Sequence, residues 1–179
     1  MHERSCRLLS HVAVIIGIAM GAAVPAIAAP SAMPEALVNP AIDSARYVQT
    51  VRLATDYRAA RRLTEDEFIA LSRLPDTVIL DARSRAKYDE LHIRGAINLP
   101  FPDIALDSLA QLLPDKRTRI LIYCNNNFAN APGPFPTKLP GASLNLATWT
   151  ALYDYGYRNI YELGPLLDVK TTRIEFGAS

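Results

Sequence analysis

The residue of this chain best suited to do chemistry is Cys124, which stands where an apolar run ends. Residues 120–123 are Ile, Leu, Ile and Tyr, and three asparagines follow the cysteine. This pattern predicts a buried strand that delivers Cys124 to a loop. Asparagines tolerate left-handed backbone angles, so the loop can turn its N–H groups inward and stabilise a thiolate or an anion. Cys124 is a candidate nucleophile, although a small buried hydrophobe at a strand end fits the same residues.

The first 28 residues are predicted to be a signal peptide rather than part of the fold. Arg4 and Arg7 give a positive start, residues 12–23 are apolar and uncharged, and residues 26–28 form a small-x-small cleavage pattern. The apolar run is shorter than the ~20 residues that cross a bilayer, so cleavage after Ala28 is expected rather than stable membrane insertion. The protein is predicted to be exported, to the periplasm in a bacterium and otherwise outside the cell.

The remaining composition limits the possible partners and cofactors. About 150 residues follow the leader, enough for one domain with a hydrophobic core. Cys6 leaves with the leader, so no disulfide is expected within the mature chain. The whole chain has 19 Lys and Arg against 18 Asp and Glu, a balance that does not predict nucleic acid as a partner. After the leader the chain has one histidine and one cysteine, without ligand spacing between them, so no metal site is predicted and no cofactor is expected.

Short apolar strands alternate with helices after the leader. The predicted strands are residues 77–80, 96–99, 119–123 and 159–163, and the predicted helices are 42–60, 65–74, 84–91, 104–113 and 143–155. Thr64 and Glu67 form a capping box for helix 65–74. This alternation predicts an α/β fold, a central parallel sheet with helices on both faces. Residues 29–61 are expected to be an extension whose one helix packs on the domain, and the tail 170–179 to add a short edge strand.

Three segments resemble, in order, the signature of the rhodanese-like domain family. They are residues 80–84 (Leu-Asp-Ala-Arg-Ser), residues 92–100 (His-Ile-Arg-Gly-Ala-Ile-Asn-Leu-Pro) and the strand that ends at Cys124. Leu152, Gly156, Tyr157 and Leu163 fit a later family stretch. The resemblance covers residues 62–169 and implies the family's fold. It also implies structural roles for Asp81, Arg83, His92 and Gly95.

By the same resemblance the chain is expected to be a sulfurtransferase. Cys124 would take sulfane sulfur from thiosulfate or a persulfide donor, carry it as a persulfide and pass it to a thiol or protein acceptor. The expected substrate-binding residues are Asn125, Asn126, Asn127, Phe128 and Ala129, through backbone amides, with Lys138 as the candidate cation. The alternatives are a catalytically weak or inactive module for protein binding, and a thiol redox sensor.

Two features depart from the family pattern. Active members often carry Arg or Lys in the loop after the cysteine, whereas residues 125–130 carry no cation. Without a loop arginine, the oxyanion clamp of related phosphatases is not expected. In addition, residues 128–140 form a proline-rich insertion. It is expected either to close over Cys124 as a lid, with Phe128 and Phe135 as an apolar wall, or to be a surface loop.

Overall fold

Five parallel strands form the central sheet of the computed structural model, which describes residues 39–179. These strands are β1 (Arg62–Leu63), β2 (Thr77–Asp81), β4 (Ile97–Asn98), β5 (Arg119–Tyr123) and β7 (Ile160–Leu163). Their order across the sheet is β1-β7-β5-β2-β4, so β5 lies in the middle. The predicted α/β fold with a central parallel sheet is confirmed. The predicted signal peptide lies outside the described residues, and export stays a prediction.

Within residues 39–179 the helices cover both faces of this sheet. They are α1 (Ser44–Ala59), α2 (Glu65–Ser72), α3 (Arg85–Glu90), α4 (Leu106–Leu112) and α5 (Leu144–Asp154). Successive side chains of a strand point to opposite faces. Ile120 and Ile122 of β5 pack in the core beside Trp149 of α5, whereas Leu121 packs in the opposite core beside Phe68 of α2. Each face therefore has its own hydrophobic core.

The helix ends follow local sequence signals. The predicted capping box is present at α2, where the Thr64 amide donates to Glu67 Oε2 at 2.8 Å and the Glu67 amide donates to Thr64 Oγ1 at 3.3 Å. The predicted extension helix is α1, whose Asp43 cap accepts from the Arg46 amide at 2.8 Å. Arg46 also forms a 2.9 Å ion pair with Asp154, which joins α1 to the end of α5.

Short strands at the periphery complete the described fold. β6 (Phe128–Ala129) pairs in parallel with β8 (Leu167–Asp168), and neither of these strands was predicted. β3 (His92–Ile93) pairs antiparallel with β9 (Phe176–Gly177), which is the short strand expected in the tail. Among residues 39–179 no helix has the length and apolar character needed to span a membrane.

Candidate active site

Cys124 lies at the carboxyl end of β5, the middle strand of the central sheet. It directly follows Tyr123, the last residue of β5, and a short 3-10 helix, Asn125–Asn127, comes next. Ligands of open parallel sheets bind in crevices at the carboxyl ends of the strands. The predicted strand therefore delivers the thiol to the edge of the sheet at which such crevices form.

A cavity of about 200 Å³ opens beside the thiol. Its lining residues come from α1, β1, β7, α5 and the cysteine loop: Arg58, Arg62, Cys124, Asn126, Asn127, Pro140, Ser143, Asn145, Leu146, Glu162 and Gly164. Cys124 itself is 1% exposed. The cavity is smaller than the roughly 300–1,000 Å³ of drug-sized ligand pockets, so it suits a small reactant. Two larger cavities, of about 260 and 540 Å³, have no thiol in their walls.

Ser143 provides the polar group next to the sulfur. Its Oγ lies 3.3 Å from Cys124 Sγ, within hydrogen-bond distance for sulfur. Ser143 is the N-cap residue of α5, yet its hydroxyl makes no capping hydrogen bond. The hydroxyl is therefore available to donate to a thiolate. The sequence suggested only a helix start at this serine, since nothing local indicates that Ser143 would reach Cys124.

Asn127 fixes the cysteine loop from inside the protein. Its Oδ1 accepts from the Cys124 amide at 2.9 Å and from Asn145 Nδ2 at 3.1 Å, and its Nδ2 donates to the carbonyls of Leu163 and Pro165 at 2.7 and 3.2 Å. The oxygen and the nitrogen of the Asn127 side chain are thus both hydrogen-bonded, as is usual for a buried polar group, and they hold the cysteine loop in place.

The backbone amides of the loop are partly engaged as well. The Asn127 amide donates to the Cys124 carbonyl at 3.2 Å, and the Phe128 amide donates to the Asn125 carbonyl. Two of the amides expected to contact a substrate therefore close the 3-10 helix instead. Asn125 is buried beside them, and its Oδ1 has no partner among the described residues.

Four of the expected binding residues lie outside the cavity lining: Asn125, Phe128, Ala129 and Lys138. Phe128 is 3% exposed and packs in the core, while Ala129 continues β6. Lys138 is exposed, and its backbone N–H and carbonyl pair with the side-chain amide of Asn126 at 3.1 and 2.8 Å. The structure thus does not place the expected lysine cation among the residues that surround the thiol.

The proline-rich insertion is anchored rather than free. Phe135 is 1% exposed, and its ring centroid lies 4.7 Å from that of Phe128. The Pro134 carbonyl accepts a 2.8 Å hydrogen bond from Arg83 Nη1, and the Arg83 guanidinium lies 4.2 Å from the Phe135 ring centroid. The expected apolar wall over the thiol is therefore corrected: these two rings form core, because burying them removes more apolar surface from water than a cavity rim would.

The remaining motif residues build the scaffold. Asp81 and Arg83 form a buried ion pair, in which burial of the guanidinium is outweighed by its hydrogen bond and attraction to Asp81, so that the pKa of Arg83 is raised. His92 Nδ1 lies 2.8 Å from the Tyr88 carbonyl, and its ring stacks on Tyr88 at 3.8 Å. Gly95 has a φ of +82°, a left-handed angle that favours glycine.

Two arginines that the sequence analysis did not select line the cavity. Arg58 comes from the last turn of α1 and Arg62 from β1, and both contact the buried carboxylate of Glu162 on β7. A signal for them exists in the sequence, since a glutamate inside the apolar run 160–163 requires a cationic partner. Within residues 39–179 no cluster of histidine, cysteine or carboxylate side chains fits a metal ion.

Comparison with known proteins decides the family. The family model described as rhodanese-like domain matches residues 64–163, more than half of the chain. The chain belongs to the rhodanese-like domain family. This confirms the resemblance in its signature segments. The matched residues begin two positions after Arg62, so both cavity arginines precede the matched segment.

Individual rhodanese-like relatives are more distant. The chain is 35% identical over 46 residues to the thiosulfate sulfurtransferase PspE of Escherichia coli (strain K12), an alignment that covers 26% of the chain and 43% of that protein's length. A rhodanese-like domain of Anabaena sp. is 21% identical with a TM-score of 0.47, covering 66% of this chain and 80% of that one. A thiosulfate sulfurtransferase of Pseudomonas aeruginosa is 22% identical with a TM-score of 0.48, covering 74% and 23%.

Proposed function

We propose that this protein is a sulfurtransferase that carries sulfane sulfur on Cys124. The observation that supports this best is the thiol at the end of the central strand, beside a small cavity and 3.3 Å from the Ser143 hydroxyl. A hydroxyl at that distance can donate to the thiolate, which is the nucleophilic form of cysteine. The similarity to a thiosulfate sulfurtransferase supports the same class of reaction.

The proposed transfer has two displacement steps. The Cys124 thiolate attacks the outer sulfur of thiosulfate, the new Sγ–S bond forms, and sulfite leaves with the electron pair of the broken S–S bond. An acceptor thiolate then attacks the outer sulfur of the persulfide and releases the Cys124 thiolate. Neither step needs an oxidant or a metal, and a persulfide donor can replace thiosulfate in the first step.

Intact mass of the purified protein tests this function. Incubation with thiosulfate, or with a small persulfide donor, should add one sulfur atom to the wild-type chain and none to Cys124→Ala. Cyanide should then remove that atom, because cyanide accepts sulfane sulfur. If no sulfur is added although iodoacetamide alkylates Cys124, the sulfurtransferase proposal is wrong.

A protein-binding module is the second candidate. It is supported by the 1% exposure of Cys124 and by three exposed leucines, each a cavity-lining residue or within two positions of one in sequence: Leu139 at 79%, Leu146 at 36% and Leu166 at 67%. Such a module would keep Cys124 as a buried hydrophobe that reacts only after unfolding. Alkylation that proceeds at the rate of unfolding, and stops when the fold is stabilised, would favour this candidate over sulfur transfer.

A further inference from the structure

The positive charge at the Cys124 cavity comes from two arginines that precede the segment matched by the family model. Arg58 lies on α1 and Arg62 on β1, whereas the family match begins at residue 64. Both arginines line the same cavity as the thiol. The cation that is missing after Cys124 in sequence is thus present at its cavity in space.

One buried carboxylate holds both guanidinium groups. Arg58 donates to Glu162 from Nε at 2.7 Å and from Nη2 at 2.5 Å, and Arg62 donates from Nε at 3.0 Å. The Glu162 side chain is 1% exposed, against 20% for Arg58 and 51% for Arg62. Two positive charges face one negative charge, so the group as a whole keeps one positive charge. Neutralising Glu162 alone would require only one of the arginines.

The two guanidinium groups also keep hydrogen-bond donors unused. Arg58 uses Nε and Nη2, and Arg62 uses Nε together with Nη2, which donates to the Gly164 carbonyl at 3.1 Å. Within the described residues Nη1 of each has no hydrogen-bond partner. A guanidinium has five N–H donors in a planar fork that matches sulfonate, phosphate and carboxylate oxygens.

The uncharged residues of the cavity wall are fixed by one another. Asn145 is 5% exposed and donates from Nδ2 to Asn127 Oδ1 at 3.1 Å, and the same oxygen accepts from the Cys124 amide at 2.9 Å. The charged hydrogen-bond donors in the cavity lining, beside the Cys124 thiol, are those of Arg58 and Arg62.

We propose that Arg58 and Arg62 form an anion site that selects small sulfur compounds bearing a sulfonate or carboxylate group. The proposal deepens the proposed function and rests on it for the sulfur chemistry. With thiosulfate, the arginines bind the sulfonate oxygens while Cys124 attacks the outer sulfur. They then stabilise the negative charge that leaves with sulfite. With an acceptor thiol, they bind its carboxylate.

A pair of alkylating agents tests the anion site without any sulfur transfer. Iodoacetate and iodoacetamide differ in charge but share the same leaving group and reacting carbon. We expect the rate ratio of iodoacetate to iodoacetamide at Cys124 to fall about tenfold in Arg62→Gln and in Arg58→Gln, since each removes the surplus charge in a partly desolvated cavity. Arg52→Gln, an exposed arginine of α1 outside the cavity lining, is the matched control and should leave the ratio unchanged.

Glu162 provides variants that act in the opposite direction. Glu162→Gln raises the charge of the group and should raise the ratio. The double variant Arg58→Gln/Glu162→Gln leaves no unpaired buried carboxylate and should restore a ratio near that of the wild type. These two variants keep the test decisive if Arg58→Gln alone does not fold. A ratio that moves no more in the cavity variants than in Arg52→Gln would overturn the anion site.

The alkylation ratio and the addition of sulfur from thiosulfate together distinguish a failure of the anion site from a failure of the proposed function. If the ratio follows the arginine charges and thiosulfate adds no sulfur, the anion site stands and the sulfurtransferase proposal falls. If thiosulfate adds sulfur to Cys124 equally fast in the wild type, Arg58→Gln and Arg62→Gln, the anion site is refuted and sulfur transfer stands.

Discussion

Arg83 donates to both carboxylate oxygens of Asp81, from Nε to Oδ1 at 3.0 Å and from Nη2 to Oδ2 at 2.6 Å. Arg117 and Asp115 repeat this geometry at the same spacing in sequence, at 3.2 and 2.9 Å. The side chains of the first pair are 1% and 0% exposed, and those of the second are 92% and 50% exposed. The chain thus contains the same ion pair once in its core and once in solvent.

The two ion pairs predict very different losses in the free energy of unfolding when the arginine of each is replaced by alanine. Arg83→Ala should lower the free energy of unfolding by about 3–5 kcal/mol, because it leaves the Asp81 carboxylate buried and unpaired. Arg117→Ala should lower it far less, because an ion pair in solvent is screened and contributes little to stability. Urea denaturation of the two variants measures both values, and equal losses would contradict the scaffold role of Asp81 and Arg83.

Tyr123 provides a pH-dependent test of the same cluster. Its hydroxyl donates to Asp81, and burial together with that carboxylate raises its pKa above the ordinary range. A raised pKa means that the folded state favours the neutral phenol. Its contribution is complete below the unfolded pKa of about 10 and is lost as the pH rises through the folded value. The advantage of the wild type over Tyr123→Phe should therefore be smaller at about pH 11 than at about pH 9, with the decrease beginning near the unfolded pKa of about 10. Urea unfolding of both across that range measures this; parallel curves would contradict it.

The anchored insertion predicts a large effect of one phenylalanine. Phe135→Ala should lower the free energy of unfolding by about 3–5 kcal/mol, since the ring is buried against Phe128 and the Arg83 guanidinium. Leu139→Ala, in the same insertion but 79% exposed, should change it by no more than about 0.5 kcal/mol. Thermal unfolding compares the two variants. A small effect of Phe135→Ala would instead favour a lid that opens independently of the core.

Ser143 predicts a reactivity effect without a stability effect. Ser143→Ala should slow alkylation of Cys124 by iodoacetamide about tenfold at neutral pH, which corresponds to a hydrogen bond to a charged group of about 1.5 kcal/mol. The usual N-cap loss of about 0.5–2 kcal/mol is not expected, because the hydroxyl does not cap α5. Ser84→Ala is the control, as another N-cap serine whose hydroxyl makes no capping bond. An unchanged alkylation rate would show that Ser143 does not stabilise the thiolate.

Local sequence signals predicted the parts of the molecule that depend on neighbouring residues. The strand that carries Cys124 and the capping box of Thr64 and Glu67 are both encoded within a few positions, and both are present. The parallel sheet followed from the alternation of short apolar runs with helices. The motif around Asp81 and Arg83 indicated the family, which the match to residues 64–163 confirms.

The cavity charge was not predictable in this way. Arg58 of α1 and Glu162 of β7 are 104 residues apart in sequence. Arg62 reaches the same carboxylate because β1 pairs with β7 in a register that places Arg62 beside Glu162. No periodicity of α1 encodes that register. The burial of Phe135 in the core was not predicted either. The prolines around it indicate an irregular backbone, and an irregular backbone does not indicate whether a ring within it is buried.

Because β1 pairs with β7 in this register, a residue upstream of the matched segment contacts the carboxylate of Glu162. A chain trimmed to the matched region would keep Cys124 and the whole signature, yet it would place the Glu162 carboxylate at the cavity without either guanidinium. The formal charge of this group would change from one positive to one negative, which would oppose the binding of an anion. The proposed anion site therefore requires residues upstream of the matched segment, from the helix that carries Arg58 onward.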